Sequence, residues 1–287
     1  MRLYSTDSGL AREDDPGMLS LLALDYFDIG DLLRDADLDA ARHADSRSKV
    51  PIGGIPLRAP IAEPGKIVIA GLNYASHADE ARQWLAAMGT ELPAGLPSEP
   101  TYEVLPRTPV ASPGAPIALP HDAPDMVDYE SEIVAVMGRV ADHVDVDEAW
   151  TCIAGLTIAN DVTARDVQRR LLEGDAGAVG VSKSFDTFKP LGPCLVSIDE
   201  FAQPIDLRIQ ARVNGEQRQD DRSGNMLFGF AELVSFISQH EVLHPGDVVL
   251  TGNPAGSGMF SGRFLGDGDV VEIEVQQIGI LRNVVAG

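Results

Sequence analysis

Apolar residues along the chain gather in short, β-branched runs, which is the pattern of buried strands. The run KIVIAGLN from Lys66 predicts one such strand, and the stretch 75–88 after it reads as a helix. Further strands are predicted at 132–137, 152–159, 193–198, 205–213, 247–250 and 269–275, with Asn214 and Gly215 forming a type I′ hairpin turn. Leu227, Phe230, Ala231, Val234 and Ile237 recur at 3–4 spacing and predict the main C-terminal helix over 225–239. Ahead of Lys66 the patterning is weak. There, FDIGDLLRDADLDAARHA (27–44) predicts a short strand, a helix cap at Asp31 and an amphipathic helix. This gives a small N-terminal domain over 1–64 and a main domain over 65–287. Between Pro93 and Pro120 lie eight of the 19 prolines, which forbid a regular helix or a central strand and leave a long loop of the kind that serves as a lid. Strands outnumber helices and do not alternate with them one for one. The expectation is therefore an α+β, β-dominated fold rather than a doubly wound sheet or an α/β barrel.

Charge narrows the partners. Twenty-two Lys and Arg against 44 Asp and Glu leave a net charge of −22, a field that repels phosphate backbones and anionic lipid, so neither nucleic acid nor membrane is an expected partner. No apolar run approaches the ~20 residues of a membrane span, and MRLYSTDSGL does not read as a secretory signal. Cys152 and Cys194 sit inside apolar runs and form no CxxC pair. They read as buried free thiols of a cytoplasmic protein.

Candidate chemistry begins at DYESE. Glu130 and Glu132 open an apolar strand at i and i+2, so their carboxylates share one face with Cα atoms about 7 Å apart. Asp161 closes the apolar strand LTIAN. Three carboxylates without Cys or His make an all-oxygen site suited to Mg²⁺ or Mn²⁺, with Ca²⁺ also admitted, rather than Zn²⁺. In NYASHADE, His77 and Glu80 are three apart on a helix-like segment, as a base and its orienting carboxylate would be. Lys183 could hold a substrate carboxylate or a developing enolate. Taken singly, each has a plainer reading: a solvated acidic edge, an exposed helix pair, a surface lysine. TGNPAGSG (251–258) lacks the GK[ST] of a phosphate loop, and its backbone N–H groups are expected to face a small anionic ligand.

Read in order, GLNYASHADE, DYESEI, GLTIANDVTARDVQ, KSFDTFKPLGP, HPGDVVLTGNPAGSG and IGILRN resemble the fumarylacetoacetate hydrolase family from about Lys66 to Asn283. The resemblance implies a mixed β-roll or β-sandwich core with a small N-terminal domain, a homodimer, and a divalent ion at the site. It implies Glu130, Glu132 and Asp161 as metal ligands, His77 and Glu80 as a water-activating dyad, and Lys183 as a further catalytic residue. Arg165, Gln168, Thr251 and Asn253 match substrate contacts. The activity it implies is hydrolysis of a C–C bond in a 2-oxo or 1,3-dicarbonyl acid, with the departing enolate steadied by Lys183. Decarboxylation of an oxaloacetate-like acid or keto–enol isomerisation is the alternative on the same site, and a non-catalytic metal-binding member is the third reading.

Three departures bear on substrate. Glu103 and Leu105 stand where the family has Phe and Lys in a Phe-x-Lys-Pro segment, Asn253 replaces a threonine, and Lys189 is either an extra cation near the site or a surface residue. A missing cation at Leu105 and an added anion at Glu103 predict a larger or less acidic substrate than a simple acylpyruvate. The segment 75–100, with Trp84 and Met88, is expected to close over the site.

Overall fold

The computed structural model of the 287-residue chain describes residues 1–87, 89, 95–172 and 179–287. Its centre is the strand Ser131–Met137, every residue of which is buried. Such a continuous apolar run is what a strand covered on both faces requires. Val134 and Val136 pack on one side with Ile29, Leu32 and Leu33, while Ile133, Ala135 and Met137 pack on the other with Phe230, Ile209 and Ile273. The result is the expected α+β, β-dominated architecture. A large mixed sheet is sandwiched between N-terminal helices and a second, five-stranded sheet with its helix Phe230–Ser238.

Around the central strand the register decides function. Ile153–Asn160 runs antiparallel to it, with Ser131 opposite Asn160 and Glu132 opposite Ala159. On the other flank Val248–Leu250 is also antiparallel, and Ile67–Gly71 lies parallel to Val248–Leu250. Three strands therefore deliver their C-terminal ends to the edge of the sheet where Ser131–Met137 begins.

The N-terminal region is richer in strands than its pattern suggested. Arg2–Thr6, Gly9–Asp15, Met18–Leu22 and Ser46–Pro51 form a meander that joins the large sheet where Arg2–Thr6 pairs with Lys189–Ser197. No strand forms at Phe27. Two short helices, Ile29–Asp35 and Leu38–His43, replace the single expected one, capped by Asp28 and Asp37. Asp31 is not a cap: its own N–H donates to Asp28 Oδ1 at 2.8 Å, so it sits inside the first turn.

The expected helix over 225–239 begins only at Phe230, where Glu232 accepts from the Gly229 N–H at 2.6 Å. Asn225 belongs to a preceding 3₁₀ turn. Asn214 and Gly215 both adopt positive φ, +52° and +79°, as the hairpin requires. The proline-rich segment holds short strands: Thr101–Val104 at an edge of the large sheet, Val110–Ala111 beside Lys189–Ser197, and Pro116–Ala118 at an edge of the smaller one. Among the described residues no helix is long and apolar enough to cross a membrane, and both cysteines are free and buried.

Candidate active site

The shared strand edge gathers the acids. Asp161 N–H donates to the Glu130 carbonyl at 2.8 Å, tying the end of one strand to the start of the next. One carboxylate oxygen from each of Glu130, Glu132 and Asp161 lies within 4.8 Å of the others, and all three residues are buried. Burial, reinforced by Asp161 and Glu130, pushes the Glu132 carboxyl well above its ordinary range. Burial also works upward on Glu130, but Arg165 and Lys183 overcome it and hold that carboxyl below its usual range. Three convergent oxygens with no soft ligand fit a hard divalent cation such as Mg²⁺ or Mn²⁺.

Three cations, Lys183, Arg165 and Lys189, surround these acids. Lys183 Nζ donates to Glu130 Oε2 at 2.5 Å and to Asp161 Oδ2. The Arg165 fork spreads its donors three ways: Nε to Asp128 Oδ2 and Nη1 to Gln168 Oε1, both at 2.8 Å, and Nη2 to Glu130 Oε1. Lys189 is 1% exposed, so it is not a surface residue. Its Nζ lies 2.8 Å from Asp161 Oδ1 and donates to the carbonyls of Lys183 and Phe188. Burial lowers its pKa.

The glycine loop acts on the chain's own carboxylates, not on an external anion as its composition suggested. Gly252 N–H donates to Glu132 Oε2 at 2.6 Å, Gly256 N–H to both oxygens of Glu80 at 3.1 and 3.2 Å, and Gly258 and Met259 N–H to the two oxygens of Asp128 at 2.6 and 2.9 Å. Thr251 Oγ1 donates to the Ile133 carbonyl at 2.9 Å and is fully buried, which makes it a strand-end clamp. Asn73 holds the loop from the other side, its Nδ2 donating to the carbonyls of Thr251 and Phe228. Sequence reasoning assigned no role to Asp128 or Asn73. Asp128 lay in plain view in DYESE, and its burial was the missing signal.

His77 sits on the helix Ala75–Ala87, which follows the strand Ile67–Gly71 and so starts at the same edge. Its Nδ1 is 3.7 Å from Glu80 Oε2, too far for a hydrogen bond, and has no hydrogen-bond partner. Phe260 meets the imidazole edge-on at 5.6 Å between centroids, and Trp84 meets Phe260 at 6.0 Å. Met88 lies outside the described residues.

A cavity of about 480 Å³ opens over this edge. His77, Glu130, Glu132, Asp161, Arg165, Gln168, Lys183 and Asn253 all line it. Asn253 Nδ2 is turned to the Pro254 carbonyl at 2.9 Å. Leu105 does not line the cavity. It is 6% exposed in the core beside Ile67 and Ile69, and offers a substrate no surface. Glu103 does line it.

A β-dominated sandwich with a buried three-carboxylate centre, flanked by a histidine and a lysine in one cavity, defines a metal-dependent enzyme. The family model described as fumarylacetoacetate (FAA) hydrolase C-terminal matches residues 66–286, and the chain belongs to that family. It is 36% identical over 238 residues to the mitochondrial oxaloacetate tautomerase Fahd2a of Rattus norvegicus, covering 82% of this chain and 71% of that protein. Among solved structures, 5-carboxymethyl-2-hydroxymuconate delta-isomerase from Mycobacterium smegmatis superposes with a TM-score of 0.76 at 32% identity, over 100% of this chain and 98% of that one. The 2-hydroxyhepta-2,4-diene-1,7-dioate isomerase from Mycobacterium marinum gives 0.75 at 30% identity, with the same coverage.

Proposed function

We propose that this chain interconverts the keto and enol forms of a 2-oxo acid, moving a proton between the carbon beside the carbonyl and the carbonyl oxygen. The observation that carries this reading is the open His77–Glu80 pair. Glu80 shares the one Gly256 N–H between its two oxygens, and its 3.7 Å separation from Nδ1 leaves the relay for drawing a proton from water open. Enolisation needs only one base, and the imidazole alone supplies it. Glu130, Glu132 and Asp161 would hold a divalent ion such as Mg²⁺ or Mn²⁺, which would supply Lewis-acid stabilisation of the enolate.

The protein's own groups do the rest. His77 takes the proton from carbon at Nε2 and returns it to oxygen. Lys183 spends two of its three N–H donors on Glu130 and Asp161 and keeps the third for the developing enolate oxygen. Arg165 fixes Glu130 and holds Gln168, and the two frame the substrate's carboxylate end. The tautomerase and isomerases named above perform proton shifts of this class, which supports the choice.

Hydrolysis of a C–C bond in a 1,3-dicarbonyl acid is the second reading. It is favoured by His77 in the cavity wall with Glu80 one helical turn away, and it requires Glu80 to close the 3.7 Å gap to His77 Nδ1. Decay of enol absorbance with Mn²⁺, combined with NMR of the mixture, separates the two. Deuterium uptake at the carbon beside the carbonyl without fragments supports tautomerisation, whereas acid fragments formed in step with substrate loss overturn it.

A further inference from the structure

The cavity has a charged end and an apolar one. Beyond the carboxylate centre its wall is formed by Leu72, Trp84, Leu85 and the carboxylate-bearing Glu103. Glu103 stands on the edge strand Thr101–Val104, opposite Ile69. The Gly180 N–H donates to its Oε2 at 2.9 Å, and a Cβ at position 180 would come within 2.9 Å of its Oε1, so glycine there lets the carboxylate seat against the backbone. Gly180 and Lys183 belong to one 3₁₀ turn, Val179–Lys183, which places Glu103 beside a residue about 6 Å along the axis from Lys183 at ~2 Å per residue.

No ion pair reaches Glu103 among the described residues. Among the described residues, the only Lys or Arg side chains lining the cavity are Arg165 and Lys183, both committed to buried carboxylates. Residues 88, 90–94 and 173–178 contain no Lys, Arg or His. A second carboxylate on the substrate would thus meet an unneutralised anion and no cation at this end.

We infer that Glu103 is a specificity-determining residue. It selects 2-oxo acids whose far end is uncharged, apolar in body and tipped with a hydrogen-bond donor, and it rejects acids with a carboxylate there. This rests on the 2-oxo acid reading above. Rejection comes from like-charge repulsion in a half-buried wall, and acceptance from a neutral donor meeting the free Oε1 while its body packs on Trp84.

Calorimetry on Mn²⁺-loaded protein with 4-hydroxyphenylpyruvate, phenylpyruvate and 4-carboxyphenylpyruvate tests it. The expected order of affinity is hydroxy, then unsubstituted, then carboxy, with about tenfold or more between first and last. Glu103→Gln keeps an oxygen for the Gly180 N–H, and should close most of that gap by improving the carboxy compound. Equal or reversed affinities in the unaltered protein, or a gap that survives Glu103→Gln, overturn the inference. The ranking in the unaltered protein decides the matter even where the variant does not fold. Deuterium exchange in the same samples reports on the proton-shift reading separately: an intact affinity gap without exchange retires that reading and leaves this one standing.

Discussion

Lys189 Nζ lies 2.8 Å from Asp161 Oδ1, with both side chains 2% exposed, so the acid expected to bind a cation already faces an ammonium on each oxygen. Asp128, Glu130, Glu132 and Asp161 oppose Arg165, Lys183 and Lys189, a cluster that is nearly charge-balanced before any ion enters. Lys189→Met should therefore act in two opposed directions. Removing one partner of a buried pair destabilises by about 3–5 kcal/mol, which differential scanning in chelator will read as a lower Tm. Titration with Mn²⁺ should show affinity rising by about tenfold, because less positive charge surrounds the oxygens. Weaker Mn²⁺ binding in a folded variant would mean that Lys189 organises the ligands rather than competing for them.

Glu132 carries the opposite strain. Burial beside Asp161 and Glu130 raises its pKa above the ordinary 4.5, while Lys183 and the Gly252 N–H pull the other way. The sign follows from proton counting. Between the unfolded and folded pKa values the native state holds a proton that the unfolded chain has released, so stability falls as pH rises through that window. Glu132→Gln should abolish Mn²⁺ binding yet raise the metal-free Tm, and the gap over the unaltered protein should widen from about pH 4.5 upward. A pH-independent gap would remove ionisation as the cause.

The pairing of these acids was legible because strand geometry is local. An i, i+2 spacing in an apolar run puts Glu130 and Glu132 on one face whatever surrounds them, and Asp161 ends its strand by sequence alone. What closes the site was not legible, because it depends on register. Which cations meet the acids follows from Ser131 facing Asn160 and from the chain path of Lys183 and Lys189. Leu105 shows the reverse failure. Its place in a motif suggested a substrate contact, but the edge strand turns it into the core. At the N-terminus, short strands interspersed with polar residues hid a meander, and Asp28 rather than Asp31 met the free N–H of the helix because a cap lies before the first turn.

His77 and Glu80 should separate in kinetics. His77→Ala is expected to lower the proton-exchange rate by roughly 10²–10⁴-fold with Mn²⁺ affinity unchanged. Glu80→Gln, which keeps an oxygen for Gly256, should lower it by less than about tenfold. Comparable losses in both would mean that the pair closes during turnover and would restore water activation as the chemistry. Single-turnover exchange measured by NMR gives both numbers.

Gly256 is required by space as well as by φ. Its φ is +107°, and a Cβ there would lie 2.1 Å from the Arg218 carbonyl oxygen. Gly256→Ala must displace backbone, so a loss of at least about 1–3 kcal/mol is expected. Glu80 loses its N–H donor in the process. Denaturant unfolding should show a lower midpoint with an unchanged slope, and a shift under ~0.5 kcal/mol would mean that the loop relaxes without strain.

Arg165 separates substrate handling from ion binding, since it reaches Asp128, Gln168 and Glu130 at once with three donors of one planar fork. A lysine at this position keeps the charge but has a single Nζ, which cannot span three diverging acceptors. Arg165→Lys should leave the charge around Glu130 nearly as it was, so Mn²⁺ affinity is expected to stay within about threefold. Gln168, freed from its anchor, should no longer present a fixed contact to the substrate, and kcat/KM should drop by roughly 10–100-fold. Asp128→Asn weakens the same fork from the other side, since Asp128 is held by Gly258 and Met259 as well as by Arg165. In a double-mutant cycle the two losses should add to less than their sum. If Arg165→Lys instead weakens Mn²⁺ binding as much as it weakens turnover, the fork's main task is to shape Glu130 as a ligand, and the assignment of Gln168 to the substrate falls with it.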